Sequence, residues 1–194
     1  MIAIGLTGNI GSGKSTIAKI FQSFGFDFLD ADVMAKELYY IDEIRVRIEK
    51  LLGKSILNKD GKVDYKIISE QYFNNAEIYK SLNNILYPAL QQKIKKEISN
   101  SKKNLIIEAA MLFEIGFCSL YDYIITVSAP IEERIERIKK RNGFSTELFM
   151  EREKNQSSAS WKEQNSDFVI YNNNGTELIP QVSNILKKIG IELA

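Results

Sequence analysis

Gly8-Asn9-Ile10-Gly11-Ser12-Gly13-Lys14-Ser15 meets the pattern G-x-x-x-x-G-K-[ST] at every fixed position, straight after the apolar run Ile2-Ala3-Ile4-Gly5-Leu6. The chemistry of such a stretch is anion binding. Its glycines (Gly8, Gly11 and Gly13) allow a tight backbone turn and leave no side chain between the amides and a polyphosphate. Successive N–H groups, with the N-terminus of the helix that follows, form the cradle. Lys14 can reach the β- and γ-phosphates, and the Ser15 hydroxyl can ligate magnesium. A nucleoside triphosphate is the ligand these residues imply.

Two further groups could act on a bound triphosphate. Phe28-Leu29-Asp30-Ala31-Asp32 ends an apolar run in two carboxylates, which strand alternation is expected to point the same way. Phosphoryl transfer to an alcohol needs the acceptor hydroxyl oriented and its proton accepted, and a carboxylate here suits that task. The other reading is a helix N-cap plus a solvated acid, since Asp is a favoured cap. Asn104-Leu105-Ile106-Ile107-Glu108 is a second apolar run ending in an acid. Glu108 could hold or orient hydrated magnesium. Arg134, Arg137 and Arg141, spaced by three and four, fall on one helical face. They could clamp phosphates bidentately, or form a solvated face with Glu132, Glu133 and Glu136, the reading that best suits Arg134.

The elements that must carry these groups alternate between short apolar runs and helical patterns, the signature of a parallel α/β sheet. Strands are predicted at Ile2–Leu6, Phe26–Leu29, Leu105–Ile107, Tyr123–Val127 and Phe168–Ile170. The first helix is predicted over Ser15–Ser23, with Gly25 as its stop. Between the second and third strands, apolar residues recur at helical spacing: Ile44, Ile48, Leu51 and Leu52, then Ile67, Ile68 and Tyr72, then Leu82, Ile85 and Leu86. Asn58-Lys59-Asp60-Gly61 reads as a turn and not as a guanine-reading N-K-x-D, and Pro88 is expected to start or break a helix. The expected organisation is a nucleotide-binding core of residues 1–32 and 102–194, with a helical substrate-binding insertion over 33–101. A helical lid is expected over 130–158, interrupted at Asn142-Gly143 and resumed near Ser145 or Thr146.

Composition narrows the chemistry. The chain has 194 residues, 44% of them hydrophobic and 26% charged, enough for a substantial core. A net charge of +1 gives no bulk field toward nucleic acid or membrane. The single cysteine, Cys118, excludes a disulfide framework, suits a reducing compartment and reads as a small buried apolar residue. The N-terminus reads as neither signal peptide nor spanning segment, so a cytoplasmic location is expected. Histidine is absent altogether. The commonest general base near neutrality is therefore missing, and proton abstraction must fall to a carboxylate, lysine, tyrosine or water.

Gly5-Leu6-Thr7-Gly8-Asn9-Ile10-Gly11-Ser12-Gly13-Lys14-Ser15-Thr16, Asp30-Ala31-Asp32 and Met111-Leu112-Phe113-Glu114 together closely resemble the dephospho-coenzyme A kinase family, in order and over nearly the whole chain. The resemblance implies a three-layer P-loop fold with a five-stranded parallel sheet. It implies ATP and magnesium as cofactors and dephospho-coenzyme A as substrate. It also implies Asp32 as base for the ribose 3′-hydroxyl, with Lys14, Arg137 and Arg141 in the catalytic set. Gly8 and Gly11 to Thr16 would hold ATP, with Ser15 and Glu108 at the metal. Gln156 matches a family glutamine, and Asn172 or Asn173 a residue near the adenine. Asn9 departs from a family glycine, where it is expected to be tolerated because Asn also visits positive φ. Ala110-Met111 replaces Pro-Leu, Tyr87-Pro88 stands for His-Pro, and Ser166-Asp167 for Ala-Asp.

The reading is thus an ATP-dependent kinase that phosphorylates the 3′-hydroxyl of dephospho-coenzyme A, expected as a monomer or weak homo-oligomer without nucleic-acid or membrane partners. A nucleoside or nucleoside-monophosphate kinase on the same scaffold is the nearest rival. A nucleotide-gated switch is disfavoured by the D-A-D and by an insertion large enough for a second substrate. A nucleic-acid ATPase is disfavoured by the near-neutral charge and by Trp161 being the one tryptophan without an evident basic groove.

Overall fold

The computed structural model describes residues 1–140 and 145–192, with the side chains of 72–74 and 76 set aside. The described residues form a five-stranded, fully parallel sheet of β1 (Ala3–Thr7), β2 (Asp27–Asp30), β3 (Leu105–Glu108), β4 (Tyr123–Ser128) and β5 (Phe168–Tyr171). The order across the sheet is β2-β3-β1-β4-β5. Each strand falls within a residue of its predicted bounds, because strands covered on both faces are continuous apolar runs that stand out in sequence. The α/β fold class is therefore as expected. The chain divides into two compact units, Met1–Asp30 with Asn100–Ala194, and Ala31–Ser99.

The first unit is built on β1, whose five residues are all buried. Ile4 and Leu6 join Ile106, Ile125, Val127 and Ile170 in one core with Ile17 and Phe21 of α1 (Lys14–Ser23) and Val182, Ile185 and Leu186 of α9 (Leu178–Lys188). Gly5 alternates to the other face, where an added Cβ would come within 2.6 Å of Leu112 and 2.8 Å of Tyr121. Side chains also close the amino ends of the strands. Asn104 accepts from Ile2 N–H, Asp122 from Ala3 N–H and Asp167 from Ile124 N–H, at 2.9, 2.8 and 2.7 Å. Such bonds satisfy amides that the sheet ladder leaves over. Gly25, at φ +86°, follows α1 as its left-handed stop.

The second unit is helical: α2 (Ala31–Leu38), α3 (Asp42–Leu52), α4 (Tyr65–Asn74) and α5 (Ala76–Asn100). Its buried apolar side chains include Leu38, Ile48, Ile56, Leu82 and Ile94. Asn58 folds residues 57–63 into a turn, its side-chain oxygen accepting from the amides of Asp60 and Lys62. Pro88 neither starts nor breaks a helix, since α5 runs through it from Ala76 to Asn100. Proline removes one N–H from the ladder. The buried stripe Leu82, Leu86, Leu90 and Ile94, repeating every four residues on both sides of it, keeps the helical path.

Three helices complete the first unit: α6 (Ile131–Lys139), α7 (Thr146–Lys154) and α8 (Ala159–Gln164). Ser145 and Ser158 cap α7 and α8, accepting from Leu148 and Trp161 N–H. Arg141 and the Asn142-Gly143 turn lie outside the described residues. Cys118 opens a short 3-10 helix and is only half-buried, so it is less enclosed than the sequence suggests. Burial pushes its thiol above the usual range.

Candidate active site

The phosphate loop links β1 to α1, and its three glycines hold φ of +144°, +80° and +97° at Gly8, Gly11 and Gly13. Gly11 is constrained by contact as well as conformation, because an added Cβ would sit 2.7 Å from the Arg134 carbonyl. At Gly13 the obstacle is the Asn172 side-chain amide. Asn9 behaves otherwise: no non-glycine residue among those described has positive φ. Its occurrence at a family glycine thus needs no left-handed backbone, contrary to the expectation above.

The loop carbonyls are held from behind. Arg134 Nη1 donates to Ile10 O at 3.2 Å, Asn172 Nδ2 to Ser12 O at 2.7 Å, and Arg137 Nη1 to Ser12 O at 3.4 Å. Lys14 Nζ donates to Gly8 O at 3.0 Å, so the side chain lies back along the loop. These anchors occupy the loop carbonyls with cations and amides, while a helix's opening N–H groups are the ones that can meet an anion; of these, Thr16 and Ile17 also donate to Gly13 O at 3.0 and 3.3 Å. This is the wiring of an anion cradle.

Ser15 and Thr16 are exposed in that first turn. Ser15 Oγ donates to Glu108, 3.1 and 3.3 Å from its two carboxylate oxygens. Glu108 ends β3, in register with Leu6 of β1 on one side and Asp30 of β2 on the other. The hydroxyl and carboxylate form a small oxygen set suited to a hard cation that keeps some of its own waters. Among the described residues no cluster of three or more His, Cys, Asp or Glu forms a cage.

The structure corrects the expectation that strand alternation points the two aspartates the same way. β2 does not adjoin the loop-bearing β1, because β3 lies between them. Strand alternation does not reach Asp32: Asp30 is the last residue of β2, and Asp32 is the second residue of α2. A carboxylate in a first helical turn is favoured by the N-terminal amides and dipole.

Arg134 and Arg137 differ sharply. Arg134 is 3% exposed and forks onto Glu153, at 2.7 and 2.8 Å, with Nε donating to Ala129 O. Its guanidinium also stands 5.6 Å over the Phe149 ring. The solvated-face reading fails for this residue, because α7 covers it with a carboxylate and an aromatic ring. Arg137 is more open and joins Glu133 at 2.9 Å to the Asn172 carbonyl at 2.7 Å. Glu133 in turn accepts from Asn174 N–H, so one carboxylate ties α6 to the segment after β5.

A second buried layer centres on Lys162, which the sequence did not single out. Lys162, fully buried on α8, donates to Ala110 O at 2.9 Å and pairs with Glu114 at 3.1 Å. Ala110 O also accepts from Gln156 Nε2 at 3.1 Å, while Gln156 Oε1 accepts from Ile10 N–H at 2.9 Å. Burial opposes the charge on Glu114, but the Ser157 amide and the Lys162 ammonium outweigh it and hold the carboxyl below its ordinary range. Burial dominates at Lys162 and depresses its ammonium, with Glu114 pulling the other way. Neither Lys162 nor Glu153 stands out in sequence, since each is one charge within a polar helix.

The dephospho-CoA kinase family model matches residues 2–177. The chain belongs to the dephospho-CoA kinase family. A dephospho-CoA kinase from Aquifex aeolicus is 38% identical over 180 residues, with 91% of each chain covered. The solved dephospho-CoA kinase from Campylobacter jejuni is similar with a TM-score of 0.71 at 30% identity, over 96% of both chains. A Thermus thermophilus protein of known structure superposes with a TM-score of 0.87 at 28% identity, over 98% of both. The dephospho-CoA kinase resemblance read from sequence thus agrees with the family model and with the two relatives of that name, and the P-loop kinase fold with the Campylobacter jejuni structure.

Proposed function

We propose that this chain transfers the γ-phosphoryl group of ATP to the ribose 3′-hydroxyl of dephospho-coenzyme A, giving coenzyme A. The observation that carries this reading is the family match over residues 2–177, which takes in the phosphate loop and the Ser15–Glu108 pair. Gly8 and Gly11 to Thr16 hold the triphosphate, and Lys14 adds a positive charge at the β/γ end. Ser15 and Glu108 would hold magnesium, which when bound neutralises phosphate charge. Asp32 orients the acceptor hydroxyl and takes its proton, a role that suits a chain with no histidine.

Arg137 and Arg141 are assigned to stabilising charge on the transferring group. Asn172 acts on the nucleotide side through the loop, since its amide holds the Ser12 carbonyl. Residues 33–101 are assigned to the pantetheine-bearing substrate and 130–158 to a lid that excludes water, without which ATP would be hydrolysed. The partners are the two small-molecule substrates in a reducing cytoplasm, with the protein a monomer or weak homo-oligomer. No described helix is long and apolar enough to cross a membrane.

The test is transfer of γ-labelled phosphate from Mg-ATP to dephospho-coenzyme A by the purified chain, with nucleosides and nucleoside monophosphates as parallel acceptors. Labelled coenzyme A is the expected product. ATP binding without transfer to this acceptor would overturn the reading.

A further inference from the structure

We propose that Asn9 is a positioning residue for ATP: its side-chain amide fastens the first bend of the phosphate loop to the junction between α7 and α8, and so sets the loop's array of N–H donors. The inference rests on the reading that Gly8 and Gly11 to Thr16 hold ATP.

Asn9 is 2% exposed, and its Nδ2 donates to Glu153 Oε1 and to Ser157 O, both at 3.1 Å. Two acceptors around one amide atom identify that atom as nitrogen. The Asn9 backbone is ordinary, so the side chain is what distinguishes this residue from glycine. Glu153 is already the carboxylate that takes Arg134 bidentately, and Arg134 also holds Ile10 O. Gln156, three residues on, accepts from Ile10 N–H. Residues 9 and 10 are thereby held at four points by Arg134, Glu153, Gln156 and Ser157.

The placement passes forward through the loop. Ser12 N–H donates to Asn9 O at 3.1 Å, so fixing Asn9 fixes the bend that leads into Gly13 and Lys14. Amides that must converge on phosphates bind best when already arranged, because ordering them on binding opposes affinity. Loss of the Asn9 amide therefore weakens ATP binding, while the acceptor substrate and the chemical step are spared. Arg134 and Glu153 would hold each other in either case. Asn9 reaches from the loop itself to their pair by side chain.

The experiment compares wild type, Asn9→Ala and Asn9→Asp. Calorimetry gives Kd for Mg-ATP, and steady-state kinetics give kcat and both KM values. For Asn9→Ala we expect Kd for ATP to rise roughly three- to tenfold, the loss of one or two ordinary hydrogen bonds. Its kcat should stay within about twofold, and KM for dephospho-coenzyme A should not move. Asn9→Asp sets a carboxylate against Glu153 and should bind ATP more weakly than Asn9→Ala.

A wild-type Kd in Asn9→Ala would overturn the inference. So would equal losses for both substrates, or Asn9→Asp binding ATP as tightly as wild type, which also decides the matter should Asn9→Ala fold poorly. A wild-type chain that does not bind ATP would overturn the nucleotide reading and this inference with it. A wild-type chain that binds, with Asn9→Ala binding equally well, would overturn this inference alone.

Discussion

The guanidinium of Arg134 closes on both oxygens of Glu153, at 2.7 and 2.8 Å, with its side chain 4% and that of Glu153 19% exposed. A pair so enclosed is costly to break from one side, because the partner keeps its charge without compensation. Arg134→Leu should lower stability by about 3 kcal/mol, read from chemical denaturation. Arg134→Lys should recover only part of this, since an ammonium cannot reproduce the two-pronged contact.

Lys162 and Glu114 make the opposite use of burial, as a pH dependence. Glu114 titrates below its ordinary 4.5 in the folded protein, so its contribution is complete above 4.5 and disappears as pH falls through the folded value. Wild-type stability should therefore decline on acidification below about pH 4.5. Lys162→Met removes the ammonium and leaves burial opposed by backbone amides such as Ser157 N–H, so the Glu114 pKa moves up from its folded value. The variant should be less stable at neutrality, and its stability should fall less between pH 5 and pH 3. Equal slopes for the two proteins would refute the assignment.

Asp32 carries the proton transfer in the proposed reaction. Asp32→Asn should reduce kcat by about 10²–10⁴-fold while Kd for each substrate changes little. Near-normal turnover with both substrates bound would assign the proton to another group.

Ser15 and Glu108 share the oxygen set proposed for magnesium. Ser15→Ala and Glu108→Gln should each raise the magnesium concentration giving half-maximal rate, with ATP held saturating. A metal titration unchanged in both variants would remove the pair from that role.

Gly5 has no room on its face of the sheet. Gly5→Ala would drive a methyl group into Leu112 and Tyr121, and should lower stability by about 1–3 kcal/mol in thermal or chemical unfolding.

The phosphate loop was legible because its chemistry is local: glycine, lysine and serine act within eight consecutive residues, and an apolar run before them marks the strand. The same holds for all five strands and for the Ser145 start of α7. Pro88 misled because a local rule about proline yields to a buried stripe on both sides of it. Arg134 misled for a related reason, as its glutamate neighbours within the helix suggested solvent pairing while its partner lies on another helix.

By itself, the sequence determined the triphosphate cradle, the alternation of strands and helices, and the need for a base other than histidine. These follow from residue type and near-neighbour spacing. Only the tertiary structure decided that β3 separates β2 from β1, bringing Glu108 between Leu6 and Asp30 in register. It alone set Asn9 against Glu153, 144 positions away, and Lys162 against Ala110 and Glu114. Contacts of that kind depend on how whole elements stack, and burial then turns an ordinary amide or lysine into a structural anchor because an unpaired polar group cannot stay inside.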